Sequence, residues 1–175
     1  MPHDHDLHTE RLRLRAVGTA DRDELRRHWS EPDVCRFLFD GVPPTARETD
    51  VLIEDSARDF AAAGAGLWIA RTTDGGPLIG TAGLRPLDDL GLEVYYSVAP
   101  EAWGKGYATE AAGAVVGHAL GPLGLPFVLA EVDEANTASA AIVTRLGLVP
   151  YETVPGLLGP MTRYRRDAAP VTRTA

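Results

Sequence analysis

Alternating polar and apolar residues predict strands at the start and in the middle of the chain. Residues 10–16 alternate with a period of two, which is the pattern of a half-buried strand. Three more strands are predicted at residues 67–71, 77–86 and 92–98, where apolar and aromatic segments are separated by short gaps that contain Asp and Gly. Gaps this short join neighbouring antiparallel strands, so the middle of the chain is predicted to be an antiparallel meander.

Capping residues indicate where helices begin. Thr19 is a candidate N-cap, and Thr45 with Glu48 forms the sequence of a capping box that opens a helix ending near Ala63. The remaining elements are predicted as a short helix at 31–39, a helix at 105–120, a buried strand at 127–132, a helix at 137–146 and a closing strand pair at 148–153 and 161–166. Helices and strands are mixed around one sheet in this order, so the predicted fold class is α/β with a mixed α+β character.

Length and composition fit one soluble domain in a reducing compartment. A chain of 175 residues that is 45% hydrophobic and 24% charged can bury a core without disulfides or metal. Cys35 is the single cysteine and can form no internal bridge. The first fifteen residues contain no basic segment followed by an apolar one, so no signal peptide is expected and the cytoplasm is the expected location. His3, His5 and His8 are not expected to form a functional metal site.

Charge and apolar patterning disfavour two classes of partner. The formal net charge is −8, whereas a general nucleic-acid binder needs a basic surface for its phosphate contacts. The apolar stretch 111–130 contains four Gly and two Pro residues, which would interrupt a membrane-spanning helix. We therefore expect no nucleic acid and no membrane among the partners, and the acidic balance fits a small cationic partner better.

A glycine-rich turn between a strand and a helix is the most informative segment. In residues 94–110 a strand is followed by Gly104 and Gly106, and a helix begins within the turn. Backbone N–H groups at such a helix start can bind a phosphate anion. The third glycine of a dinucleotide-binding fingerprint is missing, because Thr109 stands at its position, and no Walker sequence occurs. Dinucleotide redox chemistry and nucleotide hydrolysis are therefore disfavoured.

This segment resembles the acyl-CoA pyrophosphate loop of the GNAT superfamily of N-acetyltransferases. The matching residues are Trp103-Gly-Lys-Gly-Tyr-Ala108, and the wider string AWGKGYATEA is similar to the branch that acetylates N-terminal residues of ribosomal proteins. Three other segments agree in their order along the chain: 8–15 (HTERLRLR), 136–139 (NTAS) and 145–148 (RLGL). The wider superfamily has Gln or Arg where this chain has Trp103. An aromatic residue is usual there in the branch, and it removes one charged phosphate contact.

The resemblance implies a single GNAT domain over residues 8–166, with residues 1–7 and 167–175 as flexible termini. Its sheet would have six to seven mostly antiparallel strands, with helices on both faces, and would splay between the fourth and fifth strands, at 92–98 and 127–132. Acetyl-CoA would be the donor, and the acetyl group would pass directly to a primary amine without a covalent enzyme intermediate. Dimers are frequent among such relatives, which leaves a homodimer open.

The resemblance also implies which residues bind the donor. The backbone of Tyr96, Ser97 and Val98 would pair with the pantetheine arm, which Asn136 would orient. The pyrophosphate-binding residues would be Trp103, Gly104, Lys105, Gly106, Tyr107, Ala108 and Thr109. Ser139 would lie near the thioester sulfur, where its hydroxyl could protonate the departing CoA thiolate as a general acid. Helix capping also explains Asn136 and Ser139, and the two roles are compatible.

Glu93 is the candidate general base. Alternation places Glu93, Tyr95 and Ser97 on one face of their strand, and a carboxylate flanked by apolar residues inside a strand is unusual. Glu93 is either a paired structural group or the base that takes a proton from the attacking amine, directly or through water. A peptide α-amine, with a pKa of about 7.7–8.0, is roughly one-fifth neutral near pH 7, whereas a lysine amine is under ~0.1% neutral. Glu93 is compatible with both acceptors.

The acceptor remains open at this stage. The branch favours a protein N-terminal amine; a small amine of the aminoglycoside or polyamine type and a non-catalytic acyl-CoA-binding module are the alternatives. Residues 31–59 contain eight acidic and three basic residues, which either attract a cationic acceptor or form a solvated helix face. Trp29, Phe37 and Phe39 either line a pocket mouth or belong to the core.

Overall fold

Eight strands and five helices make up residues 5–170, which are the residues that this computed structural model describes. The strands are β1 (Leu7–His8), β2 (Leu12–Ala16), β3 (Leu67–Thr72), β4 (Leu78–Leu87), β5 (Gly91–Val98), β6 (Phe127–Asp133), β7 (Val149–Gly156) and β8 (Gly159–Asp167). The helices are α1 (Arg22–Ser30), α2 (Pro32–Leu38), α3 (Ala46–Ala63), α4 (Tyr107–Leu120) and α5 (Thr137–Arg145). Short 3₁₀ turns lie at Thr19–Asp21 and Pro100–Ala102.

All eight strands belong to one sheet, in the order β1-β2-β3-β4-β5-β6-β8-β7. Neighbouring strands are antiparallel except β5 and β6, which are parallel. The predicted mixed α/β fold and the antiparallel meander of β3, β4 and β5 are confirmed. The predicted count of six to seven strands is too low, because Leu7 and His8 pair with Leu14 and Arg13 and add β1 to the edge of the sheet.

Helices cover both faces of the sheet, as predicted, because successive strand residues point to opposite sides. Trp68 of β3 packs in the apolar layer that contains Val115 of α4 and Val143 of α5. The next residue, Ile69, packs in the layer that contains Trp29 of α1, together with residues of α2 and α3. Burial of each large apolar side chain stabilises the fold by about 1.5–3 kcal/mol.

Local capping decides where two of the helices begin. The capping box of α3 is confirmed: Thr45 Oγ1 accepts the Glu48 N–H at 3.2 Å, and the Glu48 carboxylate accepts the Thr45 N–H at 2.7 Å. The first α-helix, α1, begins at Arg22 and therefore later than the candidate N-cap Thr19 predicts. The reason is that the carboxylate of Asp21 reaches back to the Gly18 N–H at 2.8 Å and closes a 3₁₀ turn first.

The apolar stretch 111–130 is divided between α4, a turn and β6. Helix α4 begins at Tyr107, two residues later than predicted, because Gly106 has a φ of +81° and cannot continue a right-handed helix. Among residues 5–170, no helix has both the length and the apolar character that crossing a bilayer requires.

Ordered contacts extend a few residues outside the predicted domain limits of 8–166. The indole N–H of Trp68 donates to the His5 carbonyl at 2.6 Å, and the His5 ring stacks on Phe60. Leu7 lies in β1 and Asp167 ends β8. Of the predicted terminal residues, 1–4 and 171–175 lie outside the described residues.

Candidate active site

Strands β5 and β6 meet at one point and then diverge. Within the described chain, the one registered pair between them is Glu93 with Leu129. Regular parallel strands instead keep evenly spaced hydrogen bonds along their length. Beyond this pair, residues 94–98 and 130–133 leave an open gap between the two strands, where an extended ligand can pair with a free backbone edge. The predicted splay is confirmed, and it lies between the predicted strands.

The carboxylate of Glu93 lies at the closed end of this gap and has a partner at each oxygen. Oε1 accepts a hydrogen bond from Nε of Arg85 at 2.7 Å, and Oε2 accepts the backbone N–H of Glu131 at 3.2 Å. Burial raises the pKa of Glu93, and the Arg85 guanidinium opposes this rise. The carboxylate therefore joins β5 to β6 where their backbone pairing stops, and its environment favours uptake of a proton.

On the opposite face of β5, Tyr96 contacts helix α5. Its phenol oxygen lies 2.7 Å from the Ser139 hydroxyl. Burial raises the pKa of Tyr96 to about 12, so the phenol keeps its proton at neutral pH. Asn136 caps α5 through its side-chain oxygen, which accepts the Ser139 N–H at 3.2 Å. This leaves the Asn136 side-chain NH₂ group as a donor for a ligand. Three predicted residues are brought together, Tyr96 from β5 and the other two from the start of α5.

The glycine-rich turn after β5 presents unpaired backbone N–H groups. Gly104 and Gly106 have φ angles of +73° and +81°, a region that L side chains rarely adopt. Gly106 is the N-cap of α4 and supplies no side-chain acceptor, so the first helical N–H groups have no partner within the helix. These groups belong to Tyr107, Ala108 and Thr109, and they lie at the positive end of the helix dipole. The geometry suits a pyrophosphate group.

Arg11 holds this turn in place and was not predicted from the sequence. Its Nη1 donates to the Lys105 carbonyl at 2.8 Å, and its Nε donates to the Glu110 carboxylate at 2.7 Å. The guanidinium also lies over the Tyr107 ring, 4.6 Å from its centroid. The only sequence signal was the opposite charge of two residues that lie 99 positions apart, and nothing in the pattern pairs them.

Trp103 and Lys105 make the other contacts of the turn. The indole N–H of Trp103 donates to the Val98 carbonyl at 2.8 Å, which fixes the turn to the end of β5. This contact occupies one acceptor in the backbone that was predicted to pair with pantetheine. Lys105 Nζ lies 3.3 Å from the Glu101 carbonyl, and the side chain is exposed to solvent. The predicted donor-binding residues thus follow one another from the gap to the turn.

The side chain of Ser97 belongs to a polar network on the α1–α3 face of the sheet, which the sequence did not predict. Its hydroxyl lies 2.7 Å from Nε2 of His28 and 2.8 Å from the Thr81 hydroxyl. Burial lowers the pKa of His28 to about 4, so the imidazole is neutral near pH 7. His28 belongs to no motif in the sequence, and its partner on β5 is 69 positions away.

The neutral His28 should make the protein sensitive to acid, and the His28→Gln variant should lose this part of the sensitivity. The fold disfavours the protonated imidazole. The contribution of neutral His28 to the free energy of unfolding is therefore complete above pH 6.5 and is lost as the pH falls towards about 4. The full change is about 3 kcal/mol. Chemical unfolding of both proteins at successive pH values measures it, and equal dependence on pH in the two proteins would contradict a buried neutral His28.

Three of the eight acidic residues in residues 31–59 have structural roles. Glu48 caps α3, and Asp50 and Asp55 form ion pairs with neighbouring arginines. These contacts favour the solvated-face explanation for these three residues. Trp29 is 1% exposed and belongs to the core, where Phe39 packs edge-on against it with ring centroids 5.5 Å apart.

The chain belongs to the GNAT acetyltransferase family, because it matches the acetyltransferase (GNAT) domain over residues 11–149. It is 30% identical over 146 residues to an uncharacterized N-acetyltransferase of Bacillus licheniformis, with 80% of each chain covered. It is similar to the crystal structure of an acetyltransferase from Agrobacterium tumefaciens, with a TM-score of 0.80, 26% identity, and coverage of 92% of this chain and 93% of that one. The predicted family is confirmed, and the protein is an enzyme that transfers acetyl from acetyl-CoA to an amine.

Two more distant structures share the fold. A ribosomal L7/L12 alpha-N-protein acetyltransferase in complex with coenzyme A is 12% identical, with a TM-score of 0.80 over 93% of this chain and 98% of that one. A spermidine N-acetyltransferase from Vibrio cholerae, in complex with CoA and spermine, is 18% identical, with a TM-score of 0.74 over 91% and 96%. At these identities the likeness extends to the fold alone.

Proposed function

We propose that the protein acetylates the N-terminal amine of a protein by direct attack on acetyl-CoA in a ternary complex. The observation that carries this proposal is the contact of Tyr96 with Ser139 beside the gap between β5 and β6. The contact holds two proton-bearing groups next to a free strand edge that leads into the glycine-rich turn. A proton donor and a binding track for an extended thioester are the parts that such a transfer requires.

Acetyl-CoA would bind along this track. The N–H groups of residues 107–109 and the ammonium of Lys105 would bind the pyrophosphate. The pantetheine arm would pair with the backbone of residues 96–98 and accept a hydrogen bond from the Asn136 NH₂ group. This arrangement would place the thioester beside Tyr96 and Ser139.

The chemistry then requires one nucleophilic attack and two proton transfers. The amine nitrogen attacks the thioester carbonyl, a C–N bond forms, and collapse of the tetrahedral intermediate breaks the C–S bond. Ser139 gives its proton to the departing thiolate, and before the next turnover solvent returns a proton to the Ser139–Tyr96 hydroxyl pair and takes one from Glu93. Glu93 accepts the proton that the amine loses. Both oxygens of Glu93 already have partners, so the proton would pass through a water molecule.

A small polyamine is the second candidate acceptor. The net charge of −8 and the fold shared with a spermidine N-acetyltransferase favour it. Membership of an acetyltransferase family, together with the paired hydroxyls of Tyr96 and Ser139, argues against the non-catalytic alternative. A homodimer and a cytoplasmic location are retained as parts of this proposal, the latter because Cys35 is a free buried thiol.

Thermal unfolding in the presence of several ligands tests the donor, and a panel of acceptors tests the amine. A ligand at about 100 times its dissociation constant adds roughly 2.7 kcal/mol to stability. We expect this stabilisation with acetyl-CoA and CoA but not with ATP or NAD. With acetyl-CoA present, the enzyme should release CoA faster when the acceptor is a peptide with a free N-terminal amine than when it is an N-blocked peptide that contains lysine. Equal rates on both peptides would contradict the proposed acceptor.

Ser139→Ala and Tyr96→Phe should each lower kcat about tenfold and leave the affinity for CoA almost unchanged. The reason for a modest effect is that a thiol has a pKa of about 8.5, so a thiolate leaves readily even without a proton donor. Single-turnover rates together with CoA affinities by calorimetry measure this prediction. If the two variants lose affinity rather than rate, the hydroxyl pair binds the arm and does not act as an acid.

A further inference from the structure

On the α1–α3 face of the sheet, a series of contacts links β5 to the loop that contains Asp40. The hydroxyl of Ser97 contacts His28 of α1 at 2.7 Å. The next residue of α1, Trp29, packs against Phe39, which directly follows α2. Phe39 in turn precedes Asp40, which has a φ of +52°. These contacts fix the exposed Asp40 loop on the same side of the sheet as the polar network of Ser97.

Asp133 belongs to the other strand of the gap, at the end of β6. It follows Leu129 and Glu131 at a spacing of two, so it lies on the face where the Glu131 N–H meets Glu93. Asp133 is 5% exposed. Burial raises the pKa of Asp133, and the charge of Asp40 adds to the rise.

The carboxylate of Asp133 has no cationic partner of its own. Among residues 5–170, its own backbone N–H is the only group that donates a hydrogen bond to it. The neighbouring carboxylates on this face are compensated: Glu131 pairs with Arg163 at 2.7 Å, and Glu93 pairs with Arg85 at 2.7 Å. Asp133 is thus a carboxylate without a paired cation, so a cation from outside the chain would be attracted to it.

We propose that Asp133, supported by the charge of Asp40 on the same side of the sheet, binds a second positive charge on the acceptor, separate from the amine that reacts. Glu93 is the carboxylate assigned to the reacting amine, and Asp133 stabilises the charged form of a cation near it, so Asp133 suits an ammonium or guanidinium that stays charged. The neutral His28 of α1, which contacts Ser97 of β5, does not repel such a group. The ligand class is an acceptor with two cationic groups, and this inference rests on the proposed transfer to an amine.

Two pairs of acceptors test this inference and distinguish the sources of the second charge. The first pair is a peptide that begins Ala-Lys and one that begins Ala-Gln, and the second is diaminobutane and butylamine. For at least one pair, the wild-type enzyme should prefer the dicationic member about tenfold in kcat/KM, because a charge-assisted hydrogen bond is lost with the other. The pair that shows the preference identifies a peptide or a small diamine as the source.

Asp133→Asn should remove this preference by lowering kcat/KM on the dicationic member towards that on the monocationic member. Asp40→Asn should reduce the preference in part; Asp40 is exposed and Asn tolerates its positive φ, so this variant is expected to fold even if Asp133→Asn does not. Asp89→Asn is the matched control, because Asp89 is exposed in the turn between β4 and β5. An unchanged preference in both Asp133→Asn and Asp40→Asn would overturn the inference. If the wild-type enzyme acetylates no amine at all, the proposed function itself fails.

Discussion

Replacing Gly106 by Val should abolish acetyl-CoA binding in a protein that still folds. Gly106 has a φ of +81° and directly precedes the free N–H groups of α4. A Cβ there would lie 3.4 Å from Nη2 of Arg11, and the branched Val side chain would extend further into the anion site. Calorimetry should show no heat of acetyl-CoA binding, and the thermal stabilisation by this ligand should disappear.

Gly75→Val is the matched control for this variant. Gly75 has a φ of +79° in an exposed turn with no atom near its Cβ position, so Val there meets the same backbone penalty of about 1–2 kcal/mol away from the site. The control should bind acetyl-CoA as the wild type does. Normal affinity in Gly106→Val would mean that the glycine-rich turn is not the pyrophosphate site.

Glu93→Gln should lower turnover about a hundredfold while the affinity for acetyl-CoA stays close to that of the wild type. The amide oxygen of Gln can still accept the Glu131 N–H, so the junction of β5 and β6 keeps one of its two side-chain bonds. The amide cannot take up the proton that the amine loses. Steady-state rates at saturating acetyl-CoA and acceptor measure this loss.

The Arg85→Gln variant distinguishes whether Glu93 acts as a base or only as a structural group. Like Glu93→Gln, it removes the ion pair between Arg85 and Glu93, but it leaves the carboxylate of Glu93 in place. Because Arg85 lowers the pKa of Glu93, its removal should raise that pKa further and move the acid limb of the rate profile to higher pH. Above this limb the rate should return to the wild-type level. If Arg85→Gln and Glu93→Gln lose equal activity at every pH, Glu93 is a structural group only.

The elements of the fold could be predicted because their signals are local. The capping box at Thr45 and the short gaps of the meander depend on residues that are neighbours in the sequence, and both are confirmed. The start of α1 was placed wrongly because the carboxylate of Asp21, rather than Thr19, closes the first turn. The two-residue β1 is too short for any periodicity and exists only because β2 offers an edge.

The candidate site was predictable only where it lies on one segment of chain. The turn at 103–109 could be recognised from its glycines, whereas the support from Arg11 depends on a contact between the start of β2 and the distant turn that opens α4. The contact of His28 with Ser97 is likewise created by packing, since α1 must first lie against β5. A spacing pattern carries no information about such long-range contacts.

The decisive measurement is mass spectrometry of the enzyme and an amine acceptor after incubation with acetyl-CoA. The acceptor should gain one acetyl group for each CoA thiol released, and the enzyme incubated with acetyl-CoA alone should keep its unmodified mass. An acetylated enzyme that passes its group to the amine would contradict direct transfer in a ternary complex. A complete absence of acetylated product across N-terminal peptides and small amines, with acetyl-CoA bound, would contradict the proposed function.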